Sequence, residues 1–253
     1  VWTRPIIDQS IVDAAPNLSY GNGNRATPLM VDGILYAPNT VGLVEAFHPG
    51  TGDTIWVQKP IDEGALAYRG IGTRGVAYWT DGMDQRIIVQ RGDWLIALNA
   101  KTGEPYPNFG EDGRVDLKTV LQEGARYRWS GAPAVVRDVV VLGQSMTDQF
   151  VTKEFVRGDV RAFDVRTGKL RWLFHTIPQA GEFGTDTWED GAWQFTGHGN
   201  AWAQFSADEE LGYVYIPTSS ATSDMYGGHR PGDNLFTQSL VCVDAETGER
   251  IWH

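Results

Sequence analysis

Three stretches of the chain, EAFHPGTGDTIW (45–56), RAFDVRTGKLRW (161–172) and VCVDAETGERIW (241–252), share one frame. A fourth, IALNAKTGEPYP (96–107), keeps that frame until Pro107, where the others carry tryptophan. Each has a small residue (Ala46, Ala97, Ala162 or Cys242), then Thr-Gly, and in three copies Trp56, Trp172 or Trp252 at the end. Alternating apolar positions ahead of a polar Thr-Gly turn describe a β-hairpin. A hairpin that recurs along the chain calls for a repeat architecture. Four-stranded sheets set radially satisfy it, with one indole per sheet wedged against a neighbour. The tryptophans therefore read as packing residues.

The anchors lie progressively further apart, from Ala46 to Ala97, to Ala162, to Cys242, whereas a minimal propeller repeat needs about 40–50 residues. Insertions are expected at Pro105–Gln122 and Pro178–Gly199, and long loops on a compact scaffold commonly carry function. Ten tryptophans and thirty glycines fit an all-β chain with many tight turns. The formal net charge of −11 argues against a nucleic-acid partner, which needs a basic surface. Cys242, the only cysteine, forms no internal disulfide and no cysteine-rich zinc site. No apolar run reaches the length of about 18 residues that suggests a membrane helix. The chain opens at Val1 without a signal-like segment, as a processed or excised product would.

Gly70, Gly72 and Gly75 match G-x-G-x-x-G, a dinucleotide-loop pattern. That loop requires a helix after the glycines. Here the following segments, Val76 to Trp79, Arg86 to Gln90 and Leu95 to Asn99, all read as strands, so the dinucleotide reading fails. The histidines lack metal-ligand spacing and Gly-x-Ser-x-Gly is absent, which sets aside zinc and serine-hydrolase chemistry. His198, close to Asn200, is the histidine to watch. The acidic run GEFGTDTWEDG (181–191) reads as an exposed loop rather than a glycosidase pair.

The repeats, together with TRGVAYW (73–79), GNAWAQFSADEELGYVYIPTSS (199–220) and RPGDNLFTQSLVCVDAETGERIWH (230–253), resemble the pyrroloquinoline quinone (PQQ)-dependent dehydrogenases. The likeness runs the length of the chain. It implies an eight-bladed β-propeller with tryptophan-docking motifs, of which residues 1–253 would supply about four blades as a single partial domain. It also implies oxidation of an alcohol or sugar hydroxyl, PQQ and calcium as cofactors, a respiratory electron acceptor, and a periplasmic or secreted location. The alternative is a non-enzymatic propeller of the same repeats acting as a protein-binding scaffold. A half-propeller exposes sheet faces at both ends, so the remaining blades or another copy of the chain are expected partners.

By the same resemblance, Trp202 stands at the indole stacked beneath the quinone ring, with Asn200 beside it. Arg74 stands at an arginine that grips a cofactor carboxylate, a task suited to its planar bidentate cation. Ser130 and Ser145 match hydroxyl positions at the cofactor. Asp148 falls at the acidic calcium ligand, with Glu154 a competing candidate, and Ser220 replaces an asparagine ligand. Calcium prefers several hard oxygen donors. Tyr68-Arg69 occupies positions where many relatives carry a cysteine pair, and Arg25 stands where several have glutamate. Arg25 and Arg69 are therefore expected to line the site. The family's catalytic aspartate lies beyond His253, so no catalytic base is assigned, and Asp224, Asp233 and Asp244 read as loop or turn residues.

Overall fold

The computed structural model describes residues 1–17, 25–61, 73–123, 131–147 and 152–253. They form four antiparallel four-stranded sheets, the blades of a β-propeller, preceded by one short helix, α1 (Gln9–Ala14). The chain divides into two compact units, Val1–Asp116 and Leu117–His253.

The first unit holds two blades. One comprises β1 (Leu29–Val31), β2 (Ile34–Pro38), β3 (Val44–Phe47) and β4 (Thr54–Val57). The other comprises β5 (Ala77–Thr80), β6 (Gln85–Arg91), β7 (Trp94–Asn99) and β8 (Arg114–Asp116). Gly75 leads into strand β5 with no helix behind it, as the sequence requires. The second unit holds β9 (Ala134–Val136), β10 (Val139–Leu142), β11 (Val160–Asp164) and β12 (Leu170–Phe174), then β13 (Ser206–Asp208), β14 (Tyr213–Pro217), β15 (Leu240–Asp244) and β16 (Arg250–Trp252). Strands β3 and β10 are buried throughout while β4 and β16 are largely exposed. Continuous apolar runs such as VVVL (139–142) suit strands covered on both faces.

Each hairpin motif is built the same way. Ala46 pairs with Trp56, Ala162 with Trp172 and Cys242 with Trp252, and a β-bulge follows the small residue in all three. The small side chain leaves room for the indole opposite. Asp164 Oδ1 closes its turn by accepting from Arg166 N, Thr167 N and the Thr167 hydroxyl, and Asp244 Oδ1 does the same for Glu246 and Thr247. In the first copy His48 Nδ1 takes the carboxylate's place, accepting from Gly50 N and Thr51 N at 3.2 Å each.

The indoles then dock onto the next Thr-Gly turn. Trp56 Nε1 donates to Ala100 O at 2.9 Å and its ring covers Gly103; Trp172 Nε1 donates to Ala245 O at 2.8 Å and covers Gly248. Both glycines have left-handed φ, 75° and 76°, and a Cβ on either would run into the ring, so two constraints select glycine there. Trp172 closes a core shared by the last two blades with Phe174, Val214, Ile216 and Phe236.

Two expectations change. Pro105–Gln122 is not a structureless insertion, because β8 lies inside it and completes its blade by pairing with β7. Where the other copies place tryptophan opposite the small residue, Ala97 instead bonds Tyr106 N and the Gly113 carbonyl, so the fourth strand forms later. Pro178–Gly199 folds into short 3-10 turns, Thr185–Thr187 and Glu189–Gln194, and buries Trp188 with Ile177, Ala192 and Ala221.

Candidate functional site

In the second unit the loops after β10, β12 and β14 meet through one asparagine. Asn200, 4% exposed, donates from Nδ2 to Gln144 O at 2.9 Å and accepts at Oδ1 from the Ser219 hydroxyl at 3.0 Å. Backbone bonds tighten the junction: Gln144 N to Ala201 O, Ser219 N to Asn200 O and Gly199 N to Ser220 O. A side chain on Gly143 would strike the Ala201 carbonyl, and one on Gly158 would strike Asn200. These close approaches explain two glycines at the loop roots.

Behind the junction lies a buried cation. The Arg161 side chain reaches from β11 to Gln144 Oε1 at 3.0 Å, Asp159 O at 2.6 Å and Val120 O at 3.0 Å. By holding Gln144 it fixes the peptide that holds Asn200. Asp159 is buried beside it, and its Oδ1 accepts from Thr176 N at 3.3 Å. Burial pushes the Asp159 carboxyl above its ordinary value, against the opposing pull of His175 and Arg161.

The junction brings together four of the sequence-derived candidates. Ser145 follows Gln144, and its hydroxyl is buried without a hydrogen-bond partner among the described residues. A buried hydroxyl in that state asks for a ligand or a water. Trp202, two residues past Asn200, is 46% exposed, which is unusual for a large indole. Ser220 is half-buried next to Ser219. Arg74 is half-buried in the first unit, where its carbonyl accepts from Thr27 N at 2.7 Å, and Arg25 is exposed two residues before Thr27. Glu154 is exposed. Arg69, Ser130 and Asp148 lie outside the described residues.

Of the calcium candidates, Glu154 and Ser220 fall among the described residues. No three His, Cys, Asp or Glu side chains there gather closely enough to hold a metal, whereas calcium is normally wrapped by several carboxylate and carbonyl oxygens. The Ser220 hydroxyl faces Arg230 Nη2 at 3.4 Å. His198, buried against the edge of Phe155, pairs through Nδ1 with Asp224 Oδ1 at 3.6 Å. Sequence reading missed Arg161, Gln144 and Arg230. The string RPGDNLF marked the last of these as special without revealing which way its side chain turns.

The family profile described as "PQQ: Glucose/ethanol/alcohol dehydrogenase, beta-propeller domain" matches residues 1–253. The quinohemoprotein alcohol dehydrogenase ADH-IIG of Pseudomonas putida is 33% identical over 99% of this chain and 35% of its own length. Its solved structure superposes with a TM-score of 0.70 at 31% identity, covering 93% of this chain and 34% of that one. A europium-containing methanol dehydrogenase gives a TM-score of 0.64 at 25% identity over 91% of this chain and 41% of its own. The chain thus spans about a third of the length of the curated relatives it matches. No helix of the described residues is long and apolar enough to cross a membrane. A profile match over every residue, on four four-stranded blades, makes this chain a member of the PQQ-dependent glucose/ethanol/alcohol dehydrogenase β-propeller family.

Proposed function

We propose that this chain is part of a PQQ-dependent dehydrogenase that oxidises an alcohol or sugar hydroxyl and passes the electrons to a respiratory acceptor, in the periplasm or outside the cell. The observation that carries the reading is the buried Ser145 hydroxyl, without a partner among the described residues, at the same loop junction as the exposed Trp202 indole. When bound, PQQ supplies a quinone that takes up the hydride of an alcohol carbon.

This chain's own residues would hold and orient that group. Trp202 offers a flat apolar face for a conjugated ring, and Ser145 offers a hydrogen-bond donor. Asn200 is engaged by Gln144 and Ser219, so it acts as the brace that sets both. Arg74, Arg25 and Arg69 would counter the carboxylates of PQQ with positive charge in an acidic protein, and Ser130 would add a second hydroxyl. The calcium suggested by family resemblance would draw on Asp148 or Glu154 and Ser220; Asp148 lies outside the described residues, and no step of this reading depends on it.

The test is oxidation of a panel of primary alcohols and aldoses by the full-length protein that carries this chain, supplied with PQQ and followed through an artificial electron acceptor. PQQ-dependent oxidation of one class, lost in Trp202→Ala, is expected. No PQQ-dependent oxidation across the panel, or equal rates in Trp202→Ala, would contradict the proposal.

A further inference from the structure

Arg230 lies within the loop between β14 and β15 and is fixed at two of its three nitrogens. Nε donates to Thr222 O at 3.0 Å and Nη1 to Asn234 Oδ1 at 2.8 Å. Nη2 has only long contacts, 3.4 Å to Ser220 Oγ and 3.5 Å to Ser223 O. Good N–H···O bonds are about 2.9–3.0 Å, so this nitrogen is the under-used donor of a rigid fork. The guanidinium is half-buried. Burial weakens its hold on the proton, with Asp224 opposing that effect; arginine stays charged all the same.

Ser220 is committed to this cation. Its hydroxyl donates to Ala221 O at 3.2 Å while its oxygen faces Nη2. A divalent ion coordinated by Ser220 Oγ would lie against the guanidinium, and two like charges a few ångströms apart in a partly buried site repel strongly. Asp224, a carboxylate of the same loop, already interacts with both His198 and Arg230.

We infer that Arg230, rather than a metal ion, is the cation at Ser220, and that Nη2 is placed to bind an anionic or carbonyl oxygen of PQQ. The inference rests on the cofactor reading above for its ligand and on the geometry alone for the exclusion of a metal at Ser220. An arginine fork both neutralises such an oxygen and orients it, where calcium would bind it as a point charge.

Two titrations on the full chain separate these parts. Calcium is titrated by equilibrium dialysis, with terbium emission sensitised by tryptophan as a second readout, on the parent and on Ser220→Ala. Metal binding that is identical in the two, including none in either, is expected. Binding of a calcium equivalent that weakens about tenfold or more in Ser220→Ala would overturn the inference. PQQ is then titrated in the presence of a chelator. Retained binding, weakened about tenfold in Arg230→Gln as for loss of a charge-assisted hydrogen bond, is expected, with Arg230→Lys intermediate. Binding abolished by the chelator, or unchanged in Arg230→Gln, would overturn it. Circular dichroism establishes that each variant is folded; if Arg230→Gln is not, Arg230→Lys carries the comparison. Absence of PQQ binding with and without calcium would refute the cofactor reading and the ligand assigned to Nη2, while the calcium titration would still decide the metal at Ser220.

Discussion

Trp172 and Trp252 end two nearly identical hairpins. Both sit opposite a small residue across a bulged pair, and both follow a turn closed by an aspartate on Thr-Gly. Yet Trp172 is 8% exposed and Trp252 is 42% exposed. Trp172 lies on Gly248 of the next turn, whereas Trp252 packs beside Tyr215 of its own sheet. The hairpin aims the indole, and the neighbouring turn buries it. Local sequence therefore specifies a docking direction, and the stabilisation arises only where a second Thr-Gly turn receives the ring.

That contrast can be broken by substitution. Trp172→Ala should cost about 3–5 kcal/mol in chemical denaturation, the range for deleting a buried large aromatic. Gly248→Ala attacks the same contact from the receiving side, combining left-handed φ with a clash, and should cost about 1–3 kcal/mol. Asp164→Ala removes the turn's acceptor and should cost about 1–2 kcal/mol at neutral pH. Trp252→Ala should stay within about 0.5 kcal/mol, as for an exposed surface position; a cost near that of Trp172→Ala would show that the hairpin alone stabilises its indole.

Acid sharpens the comparison because the two turns share their carboxylate geometry. Burial alone would raise the Asp164 carboxyl, but hydrogen bonds from Arg171 and Thr167 outweigh it and hold the group below its ordinary 3.8. Asp244 is lowered in the same way by Thr247 and Glu246. A depressed folded pKa means stability that is complete above 3.8 and fades as pH falls through the folded value. The deficit of Asp164→Ala, followed by thermal melting, should therefore shrink below that pH. A deficit that grows instead would place the turn's contribution elsewhere. Asp159, raised by burial, has the opposite sign and disfavours the fold as pH rises through its folded value.

The blades were legible because their signal is local and repeated: alternation, Thr-Gly, a small residue and an indole at fixed offsets. Trp2 escaped notice although it docks like the others, with Nε1 donating to Pro49 O at 2.8 Å and its ring over Gly52. The clue was available, since Trp56 and Trp172 each serve the following turn and the first Thr-Gly had none assigned. His48 was harder to anticipate, because its Nδ1 replaces an aspartate oxygen without resembling one in sequence. At the candidate site, Ser145, Asn200, Trp202 and Ser220 were named from a resemblance, and the loops that carry them meet. Gln144, Arg161 and Arg230 were not, since what marks them is where a long side chain ends after the chain has crossed several strands. Pro107 was seen, but its consequence, a fourth strand delayed to Arg114–Asp116, depends on pairing that no short window contains.

The most direct test of the cofactor site is titration of the chain with PQQ, read by tryptophan quenching and checked by equilibrium dialysis, in the parent and in Trp202→Ala. Saturable binding that weakens about three- to tenfold in the variant, the scale of one aromatic stacking contact, is the predicted result. Absence of saturable binding, or identical affinity in Trp202→Ala, would contradict a PQQ site at the Asn200 junction.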